Sequence, residues 1–221
     1  MESRIPEHHP LRKLFGALAE RAFTEKLGWP DFNVSDYISK LLVEFTRTDQ
    51  LYRIKCAKGE RVEAVVDLLY ESEVTHGARS FERERDVHRH IGDFTLFMAG
   101  LFPEYLNRIK TTGLIYHKDF LVDYIKTGKR SYRLVAEHIQ GSPLSAKEVP
   151  APPLFLKLSE NFELCVWGLG TSVATSTGCR TAGIARHAVC CFIETAVRLV
   201  TKNARPCLTA GSRCSSCPSA P

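Results

Sequence analysis

Apolar residues recur at three- and four-residue steps through most of the chain, the period of one face of an α-helix. Leu11, Leu14, Phe15, Leu18 and Ala22 form the first such stripe, and Gly28-Trp-Pro30 ends it with a glycine stop followed by proline. The next stripe is Tyr37, Ile38, Leu41, Leu42, Phe45, Leu51 and Tyr52, with Asn33 or Ser35 expected as its N-cap. Lys58-Gly59 interrupts it. Val62, Val65, Val66 and Leu69 predict a third helix, closed by His76-Gly77. A fourth runs from about Ser80 to Phe102. Its segment from Phe94 to Phe102 is apolar almost all round, which marks a central helix. Pro103 suits the first turn of a short continuation, where its missing N–H costs nothing.

The fifth helix is expected over about residues 118–140. The sixth carries Leu154, Phe155, Leu158, Phe162, Cys165, Val166 and Leu169, after a proline-bearing linker from Gly141 to Pro153. Sustained strict alternation is missing, so the pattern argues against a sheet. The expected fold is all-α, a compact bundle of about six amphipathic helices over residues 8–169. No apolar run reaches the length of a membrane span, and Met1 to Pro10 lacks the apolar core of a secretory signal. Both points argue for a cytoplasmic chain without membrane insertion.

Composition changes this picture beyond residue 170. The whole chain of 221 residues carries a net charge of +5 and eight cysteines. Residues 171–221 hold six basic residues against one acidic, Glu194, so they account for all of that charge. Six of the cysteines and only one aromatic, Phe192, also lie there. Residues 1–170 are charge-balanced, with 24 basic and 24 acidic side chains. Residues 170–221 thus read as a basic, Cys-rich, low-complexity tail, disordered or poorly folded at its end. Such a segment can be an interaction arm for acidic surfaces, a cysteine element, or an out-of-frame extension of a GC-rich gene. Cys214-x-x-Cys217 lacks the second pair that a structural zinc needs.

Two clusters could carry chemistry. Asp86, His90 and Asp93 are spaced i, i+4, i+7, with His88 between them. Two imidazoles and two carboxylates within three turns could hold a divalent metal. The competing reading is a solvated face in which Glu82, Glu84 and Asp86 alternate with Arg83, Arg85 and Arg89. The Glu-x-x-His pairs of a bundle di-iron site are missing. Lys126, Lys129, Arg130 and Arg133 form a basic stripe that could bind an anion or a nucleic-acid backbone. Asp123 and Glu137 flank it, and the balanced charge of residues 1–170 argues against a nucleic-acid partner. Gly92 and Gly100 break a long helix interior, which usually marks the close approach of another helix.

The stretch His88-Arg-His-Ile-Gly-Asp-Phe-Thr-Leu-Phe97, with Gly100-Leu-Phe-Pro-Glu104 and Gly128-Lys-Arg-Ser-Tyr132, resembles a group of bacterial all-helical proteins with no established activity. The resemblance spans about His9 to Leu169. It implies a helical cytoplasmic protein and transfers no functional residue. A formed core without a catalytic motif points to a non-catalytic interaction or scaffold domain, with a protein partner or self-association. The alternative is a metal- or small-ligand-binding helical protein centred on His88, His90 and Asp93.

Overall fold

The computed structural model describes residues 5–6, 8–56, 58–73, 80–111, 119, 122–140 and 152–178. Among them are nine α-helices and no strand, so the chain is all-α. They are α1 (Pro10–Arg21), α2 (Phe32–Phe45), α3 (Thr48–Leu51), α4 (Val65–Ser72), α5 (Phe81–Leu101), α6 (Pro103–Thr111), α7 (Tyr124–Gln140), α8 (Pro152–Glu160) and α9 (Phe162–Gly178). A π-helical turn, Ala22–Lys26, extends α1. Gly28 then takes φ +64°, and the Trp29 N–H donates to the Phe23 carbonyl at 2.9 Å, which closes the helix end.

Helix α5 is the centre. Ser80 caps it by accepting from the Arg83 N–H at 3.2 Å, and Glu82 and Glu84 in the first turn complement its dipole. Every residue from His90 to Gly100 is buried. Helices α4, α7 and α9 pack directly on it, α8 packs on α7, and α1 lies against α2 and α9. From α2, Phe45 meets Phe97 edge-to-face at a centroid distance of 5.1 Å.

The two glycines of α5 mark helix contacts. A Cβ on Gly92 would stand 2.6 Å from the Tyr132 ring of α7, and one on Gly100 would stand 2.9 Å from Leu169 Cβ of α9. The approach is mutual, since a Cβ on Gly128 of α7 would meet Phe162 at 2.3 Å and the Thr95 hydroxyl of α5 at 2.6 Å.

Several boundaries differ from the periodicity, each for a local reason. Helix α2 starts at Phe32 because Asp31, not Asn33 or Ser35, accepts from the Asn33 and Val34 N–H groups at 3.1 and 3.3 Å. Helix α4 begins at Val65 rather than Val62. Val62 instead donates to the Ile54 carbonyl at 3.0 Å in a loop that turns at Gly59, φ +82°. Helix α7 begins at Tyr124, where the Asp123 carboxylate accepts from the Lys126 N–H at 3.1 Å.

The expected sixth helix is two. Asn161 separates α8 from α9, and its side-chain amide donates to the Lys157 carbonyl at 3.1 Å, a local bond that competes with helix continuation. The apolar stripe keeps its phase through the break, so Phe155, Leu158, Phe162, Cys165 and Leu169 are all buried. Helix α9 also runs past residue 170 for two more turns, with Ser172 fully buried and donating to the Gly168 carbonyl at 2.7 Å. Residues 179–221, most of the expected tail, lie outside the described residues. No helix among the described residues is long and apolar enough to cross a membrane.

Candidate functional site

Asp93 sits on α5 facing α2 and α7, and it is buried. Its Oδ1 accepts from the Tyr37 hydroxyl of α2 at 2.6 Å and from the Tyr132 hydroxyl of α7 at 2.9 Å. Burial, reinforced by the Asp93 charge, raises both phenols far above their ordinary value, so both stay neutral donors. Arg89, one turn earlier on α5, points its Nε at the Tyr37 hydroxyl, 3.4 Å away, and lies 3.9 Å from Asp93 Oδ2. Its guanidinium carbon stands 5.7 Å over the Tyr37 ring. Burial works against its charge, but the Tyr37 and Asp93 oxygens and Glu44 outweigh that and hold it cationic.

This cluster floors an open cleft of about 480 Å³ between α2, α5 and α8. Leu41, Pro153 and Leu154 supply apolar wall, and Lys40 and Lys157 stand at its edge. Lys40 pairs with Asp36 at 2.7 Å. Lys157 pairs with Asp31, the N-cap of α2, and that bond holds the Asp31 carboxyl below its usual range. One carboxylate thus starts α2 and fastens α8 to it.

The structure does not gather the four residues of the metal reading. Asp86, His88, His90 and Asp93 are not brought together, because Asp86 lies on the exposed first turns of α5 while His88, His90 and Asp93, in its buried part, face different neighbours. Asp86 is exposed and lies 3.7 Å from Arg85. His88 Nδ1 is 3.4 Å from the Ser131 hydroxyl of α7. His90 lies between the Phe45 and Phe94 rings. Asp93 is committed to its two tyrosines. Among the described residues, no group of three or more His, Cys, Asp or Glu side chains is placed to hold a metal ion.

The histidines are instead core groups. Burial first, then His138 and Arg130, lowers His88 to about 4. His90 falls well below its ordinary value, mainly through burial. Both its ring nitrogens are buried, without a hydrogen-bond partner among the described residues. The Leu51 backbone lies near enough to favour its proton slightly but does not meet hydrogen-bond geometry.

The basic stripe of α7 is exposed but partly paired. Lys129 reaches Glu163 of α9 at 2.8 Å, and Lys126 lies 3.7 Å from Asp123. Arg130 and Arg133 are exposed. The four do not line the cleft.

Periodicity places Tyr37 in an apolar stripe, and the alternating charges place Arg89 on a solvated face, so neither stands out as a site residue. The i, i+4 spacing of Arg89 and Asp93 was a usable signal. Nothing local marks Asp119, whose buried carboxylate accepts from the Val65 and Val66 N–H groups at 3.0 and 2.9 Å and from the Tyr124 hydroxyl at 2.9 Å. It caps α4 from more than fifty residues away in the chain. Comparison with family models, with curated proteins and with solved structures finds no match to this chain.

Proposed function

We propose that this chain is a non-catalytic helical binding domain whose site is the cleft between α2, α5 and α8. The observation that carries the reading is an open recess of about 480 Å³ whose floor, Arg89 over Tyr37 and Asp93, is fixed by hydrogen bonds to three helices. Small-molecule sites have this size and this mixture of apolar wall with a few placed polar groups. Nucleophilic chemistry finds little support. Burial pushes the Cys165 thiol up to about 12. The Ser131 hydroxyl near His88 is buried in the contact between α5 and α7, away from the cleft. A fragment screen followed by amide shifts in the 15N-labelled protein tests the site. Shifts gathered at Tyr37, Lys40, Leu154 and Lys157 are expected, and shifts gathered elsewhere would overturn it.

A second surface supports the reading of a protein partner or self-association. Leu164 and Trp167, three residues apart on α9, are 43% and 50% exposed. Sedimentation equilibrium of the parent and of Trp167→Lys tests it. A mass that falls in the variant is expected if α9 makes the contact, and unchanged monomers in both would remove self-association.

A further inference from the structure

The floor, wall and rim of the cleft differ in chemistry, and together they select a ligand. We infer that the cleft takes a small molecule with one carboxylate on an apolar body, the carboxylate seated on Arg89. This rests on the reading of the cleft as the binding site and adds the chemical class of its occupant.

A guanidinium offers five N–H donors in a planar fork. Among the described residues the Arg89 side chain makes a single hydrogen bond, the long one from Nε to the Tyr37 hydroxyl at 3.4 Å. Asp93 Oδ2, at 3.9 Å, is an ion-pair neighbour but beyond hydrogen-bond reach. The Arg89 side chain is 28% exposed and lines the cleft, so its remaining donors meet solvent there. Its position is held by the Tyr37 ring beneath it, which is itself tied to Asp93. A fixed, under-used fork suits a two-point contact with a carboxylate.

The neighbouring charges set how much charge the ligand carries. Lys40 is engaged by Asp36 and Lys157 by Asp31, so neither offers an unpartnered cation. Asp36, Glu44 and Asp93 also line the recess. They repel a second negative charge and favour a monoanion over a dianionic phosphate. Leu41, Pro153 and Leu154 give the hydrocarbon body an apolar wall, and the volume limits its size.

Calorimetric titration of the full chain at pH 7 with octanoate, octanol and octyl phosphate tests the inference. Octanoate is expected to bind at least about tenfold more tightly than the other two. Arg89→Gln should remove that preference while leaving octanol unchanged, and Arg89→Lys, which keeps the charge but not the fork, should restore only part of it. Leu154→Glu, on the half-buried wall, should weaken all three. Should Arg89→Gln fail to fold by circular dichroism, the ranking of probes on the parent protein still decides. Equal or tighter binding of octyl phosphate or octanol, abolished by Leu154→Glu, overturns the ligand class and leaves the cleft as the site. No binding of octanoate overturns the ligand class too. The cleft itself falls only if the fragment shifts also avoid α2 and α8.

Discussion

Asp93 gathers donors from two helices, and its worth can be read by removing them singly. Tyr37→Phe and Tyr132→Phe each delete a hydrogen bond to a buried carboxylate, for an expected loss of about 1–3 kcal/mol in urea unfolding. Asp93→Leu strands both hydroxyls and should cost about 3 kcal/mol, while Tyr132→Phe added to it should restore part of the loss. An additive double variant would show that the cluster does not act as a unit. His88 and His90 carry a pH prediction. Burial holds both rings neutral, His88 down to about 4 and His90 well below 6.5. Between 6.5 and those lowered values the unfolded chain binds more protons than the folded one. Stability therefore falls as pH falls through that window, by up to roughly 1.4 kcal/mol per pH unit for each ring. Urea titrations at pH 7, 6 and 5 read the slope. His90→Leu removes two unpartnered nitrogens, so it should stay within about 1 kcal/mol of the parent at pH 7 and lose less in acid. A steeper acid loss in the variant would count against the burial argument. These residues stood out in the sequence but for another reason. Helical spacing places Asp86, His90 and Asp93 on one face, yet it cannot say that α5 is exposed at Asp86 and buried all round from His90, so that each residue has its own surroundings.

At the scale of elements, contact between helices is set by glycine. Alanine at Gly128 gains about 1 kcal/mol of helix propensity but drives a methyl into Phe162 and Thr95. Overpacking of that kind typically costs about 1–3 kcal/mol, and the fixed aromatic ring puts this site at the upper end, so Gly128→Ala should lower the melting temperature. Gly16 on α1 has nothing within 4 Å of the added carbon, so Gly16→Ala should raise stability by about 0.5–1 kcal/mol. Thermal melts of the two variants, moving in opposite directions, separate close packing from propensity. Equal shifts would remove the packing argument. The apolar stripes were legible because each helix buries one phase of its own sequence. The break at Asn161 was not, since an amide that bonds back to Lys157 leaves the stripe in register. The start of α4 depends on Asp119, a cap supplied by tertiary contact, which periodicity cannot register.

For the whole molecule, the change in composition after residue 170 and the end of the helix do not coincide. Charge and aromatic content shift there, but backbone hydrogen bonding in α9 continues to Gly178. A count of side-chain types registers what a segment can bury, whereas a helix already docked on α5 can extend through small residues such as Gly170 and Ser172 that fit against it. Gly170 belongs to that dock: a Cβ there would lie 3.1 Å from the Gly100 carbonyl of α5. Ser172, one turn past Gly168, is fully buried. A chain ended after Leu169 loses this contact and exposes the facing surface of α5, while a chain ended after Gly178 keeps both. The shorter chain should be less stable by about 2 kcal/mol, within the range of a single change that disrupts a packed core. For a domain of this size that lowers the melting temperature by about 4–8 °C relative to the longer one. Equal melting temperatures would mean that the core is complete at Leu169 and that the last two turns of α9 add nothing to it.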